Sequence, residues 1–182
     1  MERTQVNNLI FTIGMSGSGK THLRKKLEKK FNDMKTVSPD DLRKKFLGDI
    51  NSQEDGKRIF AIAAQQAKQC VRNTAVTYFD ATGLNWSASK KAIKHYTENA
   101  DVNVLIVFMM DSEDYELCRD RVVEDIGLNI ERSNVPEDVM KTQHERFKQC
   151  LSNALGDSDL PDEWKIVLYR GDIESITGEI DG

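Results

Sequence analysis

Gly14-Met15-Ser16-Gly17-Ser18-Gly19-Lys20-Thr21 decides how this 182-residue chain is read. The stretch fits the pattern G-x-x-x-x-G-K-[ST], whose glycines let successive backbone N–H groups turn inward as an anion cradle. Gly14, Gly17, Ser18 and Gly19 are the expected cradle. Lys20 would reach the β- and γ-phosphates of a nucleoside triphosphate, and the Thr21 hydroxyl would hold Mg2+. The flanks fit the same reading. Leu9-Ile10-Phe11-Thr12-Ile13 is apolar and β-prone, so a strand enters the loop. Thr21 to Phe31 is rich in Leu, Lys, Arg and Glu, so a helix leaves it and aims its positive end at the phosphates. A glycine-rich turn before a solvated helix is the plain alternative, and the order strand, loop, helix argues against it.

Working outward, strands and helices alternate. Met34 to Val37 reads as a short strand. Ser38 and Pro39 then provide an N-cap and a first-turn proline for a helix over 40–46 that ends near Gly48. Ile59, Phe60, Ala63, Ala67, Cys70 and Val71 recur at helical spacing, which predicts a long amphipathic helix over 53–73. Further strands are expected over 75–79, 102–110 and 164–169. Helices are expected over 86–99, 112–125, 136–155 and 172–180. This alternation predicts an α/β fold of the P-loop NTPase type: one domain over 1–182, with a parallel sheet flanked by helices. Ligands in such sheets bind beyond the carboxyl ends of the strands. The loop, Asp40, Asp80 and Asp111 should therefore share one rim.

Composition narrows the class. No apolar run approaches the roughly 20 residues of a membrane span. Met1 to Gln5 has no signal-peptide character, and a cytoplasmic setting is expected. Cys70, Cys118 and Cys150 stand far apart, and His22, His95 and His144 lack metal-ligand spacing, so neither a disulfide framework nor a zinc site is expected. Net charge is −4, unevenly spread: residues 1–100 hold 18 Lys/Arg against 10 Asp/Glu, and residues 101–182 hold 8 against 20. A polyanion would be steered to the loop side. The acidic half would suit a partner or a second copy, and oligomeric state stays open.

The acceptor side is read from Ser38-Pro39-Asp40-Asp41-Leu42-Arg43, which puts two carboxylates and a guanidinium within one turn of a strand end. Phosphoryl transfer to a hydroxyl needs a group that orients it and takes its proton, and an arginine nearby can fork onto an acceptor phosphate. First-turn carboxylates also simply complement the helix dipole. Asp80, ending an apolar strand, would act on Mg2+ through water or serve as a turn former. Arginines should close over the transferring group, and Arg119, Arg121 and Arg132 are the candidates.

Gly14 to Thr21, Ser38 to Arg43, and Phe79-Asp80-Ala81-Thr82-Gly83-Leu84-Asn85 together resemble the polynucleotide 5′-hydroxyl kinase family. That family includes the phage end-healing kinase and the kinase modules of bacterial RNA repair, within a wider group of small P-loop phosphotransferases. The likeness runs from about Leu9 to Leu155. It implies Asp40 as general base, with Asp41 beside it, and Arg43 as the grip on the phosphate next to the acceptor hydroxyl. It also implies a helical lid over about 115–136, with lid arginines before Val135-Pro136, which favours Arg132, with Arg119 second, toward the nucleotide. Asn usually stands where this chain has Gly83. Phosphatase and ligase motifs are not found, so the resemblance implies only the kinase step of nucleic-acid repair. The expected cofactors are ATP and Mg2+, and the expected partner is a 5′-hydroxyl end of RNA or DNA. Two alternatives stay open: a P-loop kinase of a small-molecule hydroxyl, and a nucleotide-binding module without phosphotransfer.

Overall fold

The computed structural model describes residues 6–50, 55–128, 130 and 135–180. Five strands form one parallel sheet in the order β2-β3-β1-β4-β5. They are β1 Asn7–Ile13, β2 Lys35–Val37, β3 Val76–Phe79, β4 Val102–Met109 and β5 Trp164–Tyr169. The helices are α1 Lys20–Lys30, α2 Pro39–Leu47, α3 Gly56–Asn73, α4 Trp86–Thr97, α5 Tyr115–Gly127, α6 Glu137–Leu155 and α7 Glu174–Ile180. Among the described residues, no helix is long and apolar enough to cross a membrane.

The central strands are apolar because both faces are covered. Leu9, Phe11 and Ile13 of β1 point, with period two, into a core shared with α2, α3, α4 and α6. Ile10 points the other way, where Leu23 and Leu27 of α1 and Ile176 of α7 close a second core. A third, small cluster joins Met15 of the loop to Cys118 and Val122 of α5 and Met140 of α6. Through it the loop rests on the region expected to form the lid.

Local chemistry sets most boundaries. The Ser38 hydroxyl accepts from the Asp41 N–H at 3.2 Å, and Gly48 ends α2 in the left-handed region at φ 73°. The helix expected from Gln53 begins at Gly56, and the earlier part of that expectation lies outside the described residues. The helix expected over 112–125 is divided. Met110–Glu113 forms a 3-10 turn, and α5 restarts after Asp114, whose carboxylate accepts from the Leu117 N–H at 3.0 Å. That turn frees the Ser112 hydroxyl to accept from the Met15 N–H at 3.0 Å.

Asp157, just after α6, ties α6 to α4. Its carboxylate accepts from the Trp86 indole at 2.7 Å and from Lys90 Nζ at 2.8 and 2.7 Å. These bonds, the Lys90 one foremost, pull its carboxyl down to about 2. An unfolded aspartate titrates near 3.9. The network's contribution is therefore present above about pH 4 and is lost as pH falls through about 2. Asp157→Asn is expected to lower the melting temperature at pH 7 and to flatten its fall between pH 4 and 2. Thermal unfolding followed by tryptophan emission across that range checks it; an unchanged slope contradicts it.

Candidate active site

The carboxyl ends of all five strands open on one cleft of about 740 Å³. Ile13 leads into the loop, Val37 into Ser38-Pro39-Asp40, Phe79 into Asp80, Met109 toward Asp111, and Tyr169 into Arg170. Lys20, Thr21, Asp40, Asp41, Arg43, Asp80 and Asp111 all line the cleft, so the expected shared rim is present.

The glycines of the loop are required by space and by backbone angle. Gly17 and Gly19 sit at φ 82° and 91°, a region that side chains rarely adopt. A Cβ on Gly17 would lie 2.2 Å from the Cys118 carbonyl oxygen, and one on Gly14 would lie 2.6 Å from Ser18 Oγ. The loop is fixed from outside as well. Gly14 donates its N–H to the Thr82 carbonyl at 3.0 Å, and Ser16 donates its N–H to Gln143 Oε1 at 2.9 Å. The first ladder bond of α1 is Leu23 N–H to the Gly19 carbonyl, at 2.9 Å. The N–H groups of Lys20, Thr21 and His22 therefore precede the helix's own ladder, as anion binding at a helix start requires. Lys20 Nζ donates to the Gly14 and Met15 carbonyls at 2.8 and 2.9 Å.

In the same cleft, Arg43 pairs closely with Asp40, and its guanidinium lies 5.7 Å from the centre of the Phe60 ring. Arg24 reaches Asp41 at 3.1 Å and Asp80 at 3.8 Å. Asp80 is mostly buried. Burial pushes its carboxyl up, Lys20 and then Arg24 pull it down, and Asp40 and Asp41 push it up. Among the described residues, Ser18 Oγ, Arg24 Nε and Arg43 Nε are buried without a hydrogen-bond partner, and Arg24 Nε lies 3.7 Å from Glu28 Oε1. The cationic side chains of Lys20, Arg24 and Arg43 along the cleft and the glycine cradle together suit anionic oxygens.

The donor set also fits Mg2+. Thr21 offers a hydroxyl and Asp80 a carboxylate, and no cluster of three or more metal-binding side chains occurs among the described residues. Mg2+ is ordinarily held that way, by one or two protein oxygens plus substrate phosphates.

The arginines separate by helix face. Cys118 and Val122 are the buried positions of α5. Arg121 lies on that side, donating to Asp111 Oδ2 at 2.7 Å and to the Gly17 carbonyl at 3.2 Å. Arg119 turns outward to Glu116 and Asp120, and it does not line the cleft. Arg132 lies outside the described residues. The inward face was readable from the Cys118–Val122 spacing, and Arg24 from its place one turn after Lys20 on α1. At Gly83, φ is 59°, and a Cβ would sit 3.2 Å from Ile13 Cγ1 and 3.3 Å from Phe11 Cε1. The glycine answers to backbone angle and packing there.

Sheet order, loop and rim together define a P-loop kinase fold. A family model described as an AAA domain matches residues 9–150, and the chain belongs to that family. No curated protein sequence matches it. Among solved structures, the fold is similar to a chain of the Pnkp1/Rnl/Hen1 RNA repair complex, with a TM-score of 0.70 and 16% identity. That match covers 88% of this chain and 52% of the other, so this chain spans about half the length of its neighbour. It is also similar to a gluconokinase from Sinorhizobium meliloti 1021, with a TM-score of 0.54 and 15% identity, covering 97% of this chain and 90% of the other.

Proposed function

We propose that this protein is an ATP- and Mg2+-dependent polynucleotide kinase that transfers the γ-phosphate of ATP to a 5′-hydroxyl end of RNA or DNA. The observation that carries this reading is that the phosphate loop and the Asp40–Arg43 pair line one and the same cleft. Gly14, Gly17, Ser18, Gly19 and Lys20 would cradle the triphosphate. Asp40 would take the proton of the acceptor hydroxyl as its oxygen attacks the γ-phosphorus and ADP leaves. Arg43 would exchange its contact with Asp40 for the acceptor phosphate, and Arg24 would hold Asp41 and Asp80 in place. Thr21 and Asp80 would hold Mg2+, which neutralises charge on the phosphate oxygens when bound.

Arg121 and Arg132 are proposed to close over the transferring group. Arg121 is favoured by its contact with the loop, and Arg132 by its place before Val135-Pro136. Arg121→Ala is expected to lower kcat about tenfold to a thousandfold, because stabilisation of transition-state charge is lost. Arg119→Ala, which removes an exposed ion pair, should cost less than about threefold. Steady-state rates at saturating ATP check the pair, and equal losses would contradict the assignment.

The shared fold also serves kinases of small hydroxyl compounds, which is the second reading. A panel pairing γ-labelled ATP with 5′-hydroxyl oligonucleotides, nucleosides, gluconate and other small alcohols separates the two. Label on the oligonucleotide supports the first. Label confined to a small molecule overturns it.

A further inference from the structure

The helical spacing of α3 places Phe60 among core positions, beside Ile59 and Ala63. In the structure Ile59 and Ala63 are buried, but Phe60 is 49% exposed and lines the cleft. An aromatic ring left half in water at the edge of a charged cleft has no role in the core. Its neighbours define what it suits. The Arg43 guanidinium pairs with Asp40 and lies 5.7 Å from the centre of the Phe60 ring. Ile50 lines the cleft nearby, and His22, Arg24 and Lys26 add basic side chains along it.

We infer that Phe60 is the stacking platform for the terminal nucleobase of the acceptor strand, an inference that rests on the polynucleotide reading above. A 5′-terminal nucleotide carries three handles on one sugar: the hydroxyl, the 3′-phosphate and the base. Carboxylate, guanidinium and phenyl ring are joined there through Arg43, which contacts both of the others. A base laid on the face of the ring that Arg43 does not cover gains stacking, while the Arg43 guanidinium, which lies over the ring, is left to the phosphate. Stacking tolerates any base, because every base has a π-face, so the acceptor is an unpaired end of any sequence. A base paired within a duplex would have to fray before it could reach the ring. A small polyol, which has no π-face, would gain less from Phe60.

The test uses the full chain with γ-labelled ATP and three acceptors. These are a single-stranded 5′-hydroxyl oligonucleotide, the same strand with an abasic 5′-terminal sugar, and the strand in a blunt duplex. For the unaltered protein, the abasic and duplex ends should each show a KM about 10- to 100-fold above the single strand. Phe60→Ala should raise KM for the single strand by a similar factor, with a much smaller change in kcat, and leave KM for the abasic end unchanged. Phe60→Trp should restore the single-strand KM, and Phe60→Leu should not. Because the ring is half exposed, each variant should melt within about 2 °C of the parent. A single-strand KM unchanged in Phe60→Ala, or raised equally for the abasic end, would overturn the platform while leaving the kinase reading intact. If the unaltered protein labels none of the three acceptors, the polynucleotide reading falls, and the platform falls with it.

Discussion

Asp40→Ala is expected to lower kcat for phosphate transfer by about two to four orders of magnitude, the usual contribution of a positioned general base. ATP binding should change by less than about threefold, because the triphosphate cradle lies on a different element. Asp40 stands in the first turn of α2, on a backbone fixed by the Ser38 cap and by Gly48 at the helix end. Its side chain is about half exposed, so truncation leaves no cavity. The change does release Arg43, whose guanidinium is largely buried. A rise in acceptor KM through displaced Arg43 is therefore expected alongside the loss in kcat. Asp40→Asn keeps the hydrogen bond to Arg43 but cannot take a proton. It should show the kcat loss with little KM change, which separates proton transfer from positioning. Steady-state kinetics on both variants, with ATP affinity measured directly, checks this. Full turnover in Asp40→Asn would remove the residue from proton transfer.

Lys20→Ala is expected to lower kcat by about two to three orders of magnitude and to weaken ATP binding about tenfold to a hundredfold. Two effects add. The ammonium would meet charge developing on the transferring group. It also bridges the Gly14 and Met15 carbonyls, so its removal loosens the first half of the cradle. Lys20→Arg keeps the charge, but it replaces a compact ammonium with a broad planar fork beside a loop where Gly17 and Gly19 hold the backbone left-handed. It should recover little activity. Titration with ATP and single-turnover transfer separate binding from chemistry. Near-normal transfer by Lys20→Ala would contradict the assignment.

The fold was legible because its signals are local and periodic. The eight residues of the loop need particular backbone angles, and the strand and helix on either side carry unmistakable patterning. The rim followed from a rule about parallel sheets, and Asp40, Asp80 and Asp111 meet there. Less legible was which way a side chain turns when it sits at the edge of a helix's apolar arc. Phe60 differs from Ile59 by one residue, about 100° of rotation, and that step carries it from core to cleft. Arg119 and Arg121 differ by two, and only Arg121 faces the loop. The break of the expected 112–125 helix at Asp114 turns on a single cap and on Ser112 reaching Met15, a contact between residues far apart in the chain. Gly83 is a similar case, because its left-handed angle and its fit against Ile13 and Phe11 appear only once the sheet is assembled.

The most direct test of the central claim is transfer from γ-labelled ATP to one oligonucleotide presented in two forms, with a 5′-hydroxyl and with a 5′-phosphate. Label is expected on the hydroxyl form alone, removable by a phosphatase and lost in Asp40→Ala. Equal labelling of both forms, or no labelling while ATP still binds, would contradict it.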